Sequence, residues 1–578
     1  MLKMPTQRTD HKQLASDVPK IPLIHGSIFA QKSNTLHVRS GPKGRRMHYI
    51  FSEGGLSNEL SCISDIEAIE HLRNHLGNFL LDTSTCAAYA KRLGTIPQDH
   101  CTESVREWTR YLLSKFGKLA PLNERLVPFW TSATELMPNY LRDLSKCRPP
   151  DNVLDWLDNA SWTSPPEKVR TRLLEFLKAY PYAPQIHMRL LEDDLRLDIP
   201  AGSQWQDRIR LPPTLKTTLD WALLEAWHLQ GDNERALETL SKLPKIPENE
   251  YWLNIAGEIH ARNGNHGQAV DMYTASLRLD PNQRPAHFRI NELLNPFRPD
   301  PSTLSSRTAI FLYSWNKSEL LKNTLMNLAK SETGNASITV LLNGCTDDSK
   351  DMVDNINRTC FSDSIQLIEL PINIGAPAAR NWLLATREGR EAEFVAFLDD
   401  DVDVPPNWLA SLLTSLRDNP GSGVVGAKIL TPGSPPRLQY LFRNISVARN
   451  GMIRLSLATP DRNFDSGIYN FVRETDNVMG CCHVFTRAAL DAVSHFDIRF
   501  SPSQMDDISH DIDLRIKGFK VIYCGLVHCY HHQMSGVGLN TPASLMREGN
   551  VIGNDVKFVY KYIHHIDSLK KMNNLYSQ

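Results

Sequence analysis

Long apolar runs are missing from this 578-residue chain. The longest, such as TAIFLYSW at 308–315, fall far short of the ~18 residues that span a bilayer, so no integral membrane segment is expected. An excess of either charge is missing too. Sixty-four Lys and Arg stand against 65 Asp and Glu, a formal net charge of −1. Such a balance offers no global field to nucleic acid or to an anionic membrane, and no nucleic-acid partner is expected. C-x-x-C pairs are absent as well. The ten cysteines, at 62, 86, 101, 147, 345, 360, 481, 482, 524 and 529, are irregularly spaced, which predicts reduced, buried thiols in a cytoplasmic protein. Vicinal Cys481 and Cys482 lack metal-ligand spacing and are expected to pack on a strand. The N-terminal MLKMPTQRTDHKQ has no apolar signal-peptide core.

What is present is an ordinary globular balance, 41% hydrophobic and 22% charged, over a length that predicts about two to four domains. Residues 1–160 hold a locally basic stretch, RSGPKGRRM at 39–47, read as a solvated loop, and a helical stretch at 64–81. There His71 and His75 lie four apart, but without a third ligand nearby they do not make a metal site. Residues 161–294 turn to long helices with an internal repeat. Trp227, Gly231 and Ala236 in one unit match the offsets of Gly264 and Ala269 in the next, where Gly257, Tyr273 and Pro281 complete the pattern. Small residues there let antiparallel helices approach closely, and the pattern resembles a short tetratricopeptide segment. It would serve either as a concave partner-binding surface or as a spacer packed on its neighbour. Residues 295–307, rich in Pro and Ser, read as a linker.

From 308 to 540 the period changes. Short β-branched runs at 308–315, 338–344, 365–371, 393–398 and 423–430 alternate with helical stretches at 317–330, 346–358, 376–390 and 406–417. That alternation predicts βαβ units and a mostly parallel sheet, with a helical tail at 541–578. In such a sheet the ligand lies beyond the carboxyl ends of the strands. Thr346 is expected to cap the helix after the second strand, with Asp347 and Asp348 in its first turn. The fourth strand runs straight into Asp399, Asp400, Asp401 and Asp403. Consecutive carboxylates at a buried strand tip repel one another, so a cation or positive groups must be at hand. A divalent ion with oxygen ligands, Mg²⁺ or Mn²⁺, fits.

At this point the residues carry a resemblance. Residues from about 306 to 535 resemble a family-2 glycosyltransferase of the GT-A fold, an α/β class with a Rossmann-like mixed sheet. The stretch Asn373-Ile-Gly375-Ala-Pro-Ala-Ala-Arg380-Asn381 resembles the family's N-x-G-x-x-x-A-R-N helix start, which borders the nucleotide-sugar site. The Asp399-Asp400-Asp401 run resembles its D-x-D motif, whose last Asp ligates the metal. Met479-Gly480-Cys481-Cys482 falls where the family has a loop facing the acceptor, and Asp506-Asp507 lies where it has an acidic pair, eleven residues before a glycine, here Gly518. His531 matches a histidine that often follows. The resemblance implies substrate contacts from Ser314, Asn316, Asn343, Asn373, Gly375, Arg380, Asn381, Asp399, Asp400 and Gly480. It implies metal ligation by Asp399, Asp401 and His531, with His531 open to contacting the diphosphate or to packing alone. One departure stands out. Many members carry an Asp at the end of the second strand to hold the base, and here Leu342 is followed by Asn343, which leaves base specificity open.

The implied reaction is metal-dependent, inverting transfer of a sugar from a nucleoside diphosphate donor to a hydroxyl of a protein or surface glycan. The metal neutralises the leaving diphosphate, and a carboxylate deprotonates the acceptor. Asp507 is the expected base, with Asp506 and Asp511 as alternatives; Asp511 and Asp513 are otherwise expected on a solvated helix face. The rival reading is an inactive transferase-like module in which the repeat segment recruits a partner. A nucleotidyltransferase would need a Gly-rich phosphate loop with a lysine near the first strand, and Ser314-Trp315-Asn316-Lys317 shows no such loop.

Overall fold

The computed structural model describes residues 55–573 apart from 62, 95, 97–101, 123–138, 164, 244–247, 449–450, 452, 461–463 and 533–544. The basic stretch at 39–47 lies outside the described residues. Contacts divide the chain into two units, one of Met1–Ser40, Ala120–Leu190 and Gln204–Asp220, the other of Gly41–Leu119, Leu191–Ser203 and Trp221–Gln578. The described elements of the first unit are helical, among them Asn139–Lys146, Asp151–Thr163 and Pro166–Ala179, and Leu173 and Leu177 on the last are fully buried.

The second unit opens with helices Asp65–Leu76, Thr83–Gly94 and Glu103–Leu119. The first of these starts on a capping box in which Ser64 and Glu67 satisfy each other's backbone amides. His71, set four before His75, bonds Tyr89 OH through Nδ1 at 2.6 Å. Four further helices follow: α1 (Asn233–Lys242), α2 (Glu250–Arg262), α3 (His266–Leu279) and α4 (Arg284–Leu294). The small residue expected between the antiparallel pair is there for a steric reason. A Cβ on Gly257 of α2 would come within 2.9 Å of the Tyr273 ring on α3, closer than carbon atoms pack.

The sheet then builds from β1 (Thr308–Ser314), β2 (Ser337–Asn343), β3 (Ile365–Leu370), β4 (Phe394–Leu398), β5 (Val402–Asp403), β6 (Ser422–Thr431), β7 (Arg437–Tyr440), β10 (Val472–Thr475), β11 (Cys482–Thr486) and β12 (Lys520–His531). Its order is β10-β12-β6-β11-β4-β1-β2-β3, with β5 on β12 and β7 on β6, while β8 (Ile445–Val447) and β9 (Ile453–Leu455) form a separate pair. β1 pairs parallel with β2 and β4, whereas β11 runs antiparallel between β4 and β6, so the sheet is mixed. The five expected strands lie within a residue or so of their places. β1, β2, β4 and β6 were legible because strands buried on both faces read as continuous apolar segments; β3, at the sheet edge, is buried only at Ile365. Helices α5 (Ser318–Leu328), α6 (Ser349–Cys360), α7 (Ala376–Leu384) and α8 (Trp408–Asp418) fill the connections. Later come α9 (Asp506–Ile516), α10 (Leu545–Tyr562) and α11 (Ile566–Asn573), the last two being the expected helical tail. Among the described residues no helix is long and apolar enough to cross a membrane.

The helices before residue 295 share a core with this sheet. Phe79, Ala269, Tyr273, Ala286 and Leu293 cluster with Phe311, Phe397 and Tyr523, and Phe79 stacks on Phe442 at 5.1 Å. A buried polar seam runs beside them. Glu258 on α2 accepts from Arg289 Nε at 2.6 Å, Arg289 Nη1 donates to Asn470 O at 3.2 Å, and Lys428 on β6 pairs with Asp465 at 2.6 Å. The polar inner face of the repeat-like helices is thus engaged within the chain. Segment 295–307, read above as a linker, is also held. Pro301–Ser305 is a 3₁₀ turn, Asp300 N donates to Thr414 Oγ1 of α8 at 2.9 Å, and the Asp300 carboxylate pairs with Arg417.

Tied backbone resists cleavage. Limited proteolysis of the full chain, followed by mass spectrometry of the first fragments, is expected to spare 295–307. An early fragment beginning near residue 305 would contradict this packing.

Candidate active site at the strand tips

β1 and β4 are parallel neighbours, so their carboxyl ends bring Tyr313, Ser314 and Lys317 up against Asp399, Asp400 and Asp401. The three consecutive acids point in different directions. Asp400 turns inward and is 5% exposed; it accepts from Ser314 Oγ at 2.6 Å and from Lys317 Nζ at 2.9 Å. Asp401, also buried, accepts from Lys317 Nζ at 3.0 Å, and its Oδ1 lies 2.9 Å from His531 Nε2. Asp399 is the more open of the three and accepts from Tyr313 OH at 3.2 Å. Burial pushes the Asp399 carboxyl up to about 6, with Arg380 opposing and the Asp401 charge adding. Burial works the same way on Asp401, but His531 and Lys317 outweigh it and hold that carboxyl below its ordinary range.

Ligand atoms of Asp399, Asp401 and His531 all lie within 4.8 Å of one another, the one such metal-competent group among the described residues. These are the three residues named as ligands from the sequence. The donor set fits a divalent ion: two carboxylate oxygens suit Mg²⁺ or Mn²⁺, and one imidazole nitrogen favours the softer Mn²⁺. Asp401 Oδ1 supports the fit, being a buried carboxylate oxygen that makes no hydrogen bond of good geometry.

The second carboxylate group comes from the start of α9. Arg380, 4% exposed on α7, pairs with Asp506, donates to Gly480 O at 3.2 Å and stands 3.6 Å from Asp399. The rings of Tyr313, Phe397 and Phe496 surround its guanidinium at 5.2 to 6.0 Å. Asp507 is half-buried and accepts from Gly480 N at 2.9 Å and from Ile508 N at 2.8 Å. Gly480 admits no side chain, because a Cβ would sit 2.9 Å from Asp507 Cβ and 3.0 Å from Arg380 Nη2.

Several sequence expectations change. Asp511 and Asp513 do not lie on a solvated face. Asp511 is fully buried and accepts from Val478 N at 3.1 Å and Asn477 Nδ2 at 2.9 Å, while α10 covers Asp513 with Tyr562 OH at 2.9 Å and Lys561 Nζ at 2.6 Å. Helical periodicity could not reveal this, since the covering residues lie 48 and 49 positions downstream of Asp513. Burial, opposed by the Val478 amide and reinforced by Asp507, pushes the Asp511 carboxyl well up. Asn343 is 3% exposed and is used internally: its Nδ2 donates to Asn373 Oδ1 at 3.0 Å and its Oδ1 accepts from Ile374 N at 3.0 Å. Asn373 Oδ1 also accepts from Gly375 N at 2.8 Å, which shapes the entry to α7. Asn381 clamps the Phe496 backbone at 2.7 and 2.8 Å. Asn343, Asn381, Ser314 and Asp400 therefore build the site's frame from within, while Asn316 remains at the exposed rim, bonded to Thr346 N at 2.7 Å. The N-cap position of α6 is Asp348 and not Thr346, and Asp347 just before it accepts from Ser349 N at 3.2 Å. Cys481 and Cys482 are buried free thiols at β11, as expected.

Lys317, Tyr313 and Gln439 were not singled out from sequence as site residues. The signal for Lys317 was available: an acidic run at a strand tip needs a counter-charge, and the lysine closing the neighbouring tip supplies it. Gln439 gave no signal, because it reaches His531 from β7 across an intervening strand.

Residues 306–545 match the family model described as glycosyltransferase like family 2, and this part of the chain is a domain of that kind. Among curated proteins, the O-antigen biosynthesis protein RfbC of Myxococcus xanthus is 26% identical over 159 residues, which is 27% of this chain and 12% of that protein. The uncharacterized protein y4gI of Sinorhizobium fredii is 26% identical over 219 residues, 36% of this chain and 23% of that protein. The chain thus spans less than a quarter of either relative. Among solved structures, GalNAc-T7 with UDP, GalNAc and Mn²⁺ aligns with 47% of this chain and 55% of its own at 12% identity and TM-score 0.36. The mannosyltransferase PcManGT of Pyrobaculum calidifontis with GDP-Man and Mn²⁺ aligns with 56% and 85% at 16% identity and TM-score 0.31.

Removing Arg380 would leave Asp506 a buried, unpaired charge, a change that typically costs about 3–5 kcal/mol. Arg380→Met is therefore expected to lower the thermal midpoint sharply, and Arg380→Met with Asp506→Leu to recover a large part of the loss. Equal midpoints for wild type and the single variant would contradict the pairing.

Proposed function

We propose that the glycosyltransferase-family-2-like domain transfers a sugar from a nucleoside diphosphate donor to a hydroxyl acceptor by metal-dependent single displacement, with inversion at the anomeric carbon. The observation that carries this reading is the convergence of Asp399, Asp401 and His531 beside the Asp506–Asp507 pair. A divalent ion held by Asp399, Asp401 and His531 would supply charge neutralisation for the departing diphosphate. Lys317 Nζ contacts both Asp400 and Asp401 and favours their charged forms, against the burial that pushes the Asp400 carboxyl up.

Among the three candidate bases the geometry favours Asp507. Asp506 is committed to Arg380, and Asp511 is sealed in the core, where it holds the 477–478 backbone. Asp507 is half-open, and its two amide contacts leave carboxylate lone pairs for an acceptor proton. Gly480 brings the acceptor-facing loop directly against it. Asp511 and Asp507, one helical turn apart, fix the two ends of that loop and so set the distance between base and donor. For the acceptor, the likeness to an O-antigen biosynthesis protein favours a glycan hydroxyl.

Release of nucleoside diphosphate from a panel of nucleotide sugars with Mn²⁺, with and without EDTA, tests the reaction. Asp401→Asn should abolish metal-dependent turnover, since it removes a candidate ligand, and should lower the thermal midpoint, since Lys317 and His531 favour the charged carboxylate it replaces. A fully active variant, or turnover indifferent to EDTA, would refute the metal assignment.

Asp507→Asn keeps shape but cannot take a proton. Turnover should fall about 10²–10⁴-fold with donor affinity nearly unchanged, as read by titration calorimetry. Retained turnover here, with loss in Asp511→Asn at unchanged stability, would move the base one helical turn along.

A further inference from the structure

His531 makes two contacts that demand opposite things of its ring. Nε2 faces Asp401 Oδ1 at 2.9 Å and lies within the ligand cluster; Nδ1 faces the Gln439 side-chain amide at 2.8 Å. With the amide nitrogen toward Nδ1, Gln439 donates and the ring proton falls on Nε2, 2.9 Å from Asp401 Oδ1 without a hydrogen bond of good geometry. In that tautomer Nε2 has no lone pair to offer a cation. The opposite tautomer, with the proton on Nδ1, needs an acceptor at Gln439's position. The amide supplies one when it turns over, because its oxygen and nitrogen are nearly isosteric and exchange places by rotation about the last side-chain bond.

The surroundings leave that rotation unopposed. Gln439 Oε1 is buried and holds no hydrogen bond, so turning the amide breaks only the bond to Nδ1 and remakes it with the polarity reversed. β7 pairs with β6 on either side of Gln439, at Leu438↔Leu430 and Tyr440↔Ile429, with Gln439 itself at the register shift between them, and β6 pairs with β12 at Leu430↔Tyr530, which brings Gln439 and His531 together across the ladder.

We propose that Gln439 is a positioning residue for metal binding: a two-way amide clamp that lets His531 Nε2 alternate between donating to Asp401 and ligating the cation. This rests on the reading of Asp399, Asp401 and His531 as the metal site. The ring partner of a ligating histidine typically changes metal affinity 10–100-fold, so the clamp, although it touches no ligand of its own, governs occupancy of the site.

Two variants of similar size separate the possibilities. Gln439→Met removes the partner; Gln439→Glu supplies an acceptor that cannot donate. Mn²⁺ affinity of the full chain is read by electron paramagnetic resonance of free Mn²⁺, and thermal midpoints are taken without metal. The expected result is a 10–100-fold weaker Mn²⁺ affinity for Gln439→Met, wild-type or tighter affinity for Gln439→Glu, and metal-free midpoints close to wild type for both. Equal affinity of Gln439→Met and wild type would overturn the clamp and leave the metal site standing. Loss in Gln439→Glu as large as in Gln439→Met would also overturn it, since a donor would then be what His531 requires. Should Gln439→Met fail to fold, the Glu variant alone decides by the same criterion. Wild-type protein that binds no Mn²⁺, with or without nucleotide sugar, would overturn the metal-site reading itself and the clamp with it.

Discussion

The Arg380 guanidinium lies out of water among three aromatic rings, with Asp506 as its partner, Asp399 nearby and the Gly480 carbonyl bonded to it. Its burial is the constraint around which the site is assembled. A guanidinium cannot shed its proton to escape a low-dielectric setting, so carboxylates must come to it, and they arrive from the β4 tip and the start of α9. Asp399 and Asp506 are thereby fixed relative to one another by a single side chain. Shifting any of these elements would strand a charge, which makes the arrangement stiff where transfer chemistry needs fixed distances.

The acidic tip of β4 follows the same logic on a smaller scale. Three adjacent aspartates could not coexist if all faced one way. The chain sends Asp400 inward to Ser314 and Lys317, and leaves Asp399 and Asp401 on the side that His531 closes. Lys317 Nζ offsets part of the charge of the two acids it touches.

The helices of this unit before residue 295 are joined to the sheet by ring stacking of Phe79 on Phe442 and by hydrogen bonds from Arg289 Nη1 to Asn470 O and from Arg262 Nη2 to Asp465 O. Asp465 and Asn470 in turn hold Lys428 of β6, and β6 neighbours β12, whose last residue is the candidate ligand His531. The repeat-like segment therefore packs against the part of the unit that carries the candidate site.

Local chemistry determined much of this from sequence alone. Short β-branched runs gave the strand positions, because strands buried on both faces need no pattern beyond continuous apolarity. The acids at 399 and 401 were legible because they close a strand whose place the pattern gave, whereas Asp506, Asp507 and His531 were named through the family resemblance. Tertiary structure alone decided which of these groups remain open. Asp511 and Asp507 are equivalent on a helical wheel, yet one is sealed against Val478 and the other faces Gly480. Asn343 reads as a ligand contact and is consumed by Asn373. Gln439 reads as nothing and meets His531 across β6. Exposure and pairing depend on what arrives from distant sequence, and periodicity carries only what lies within one element.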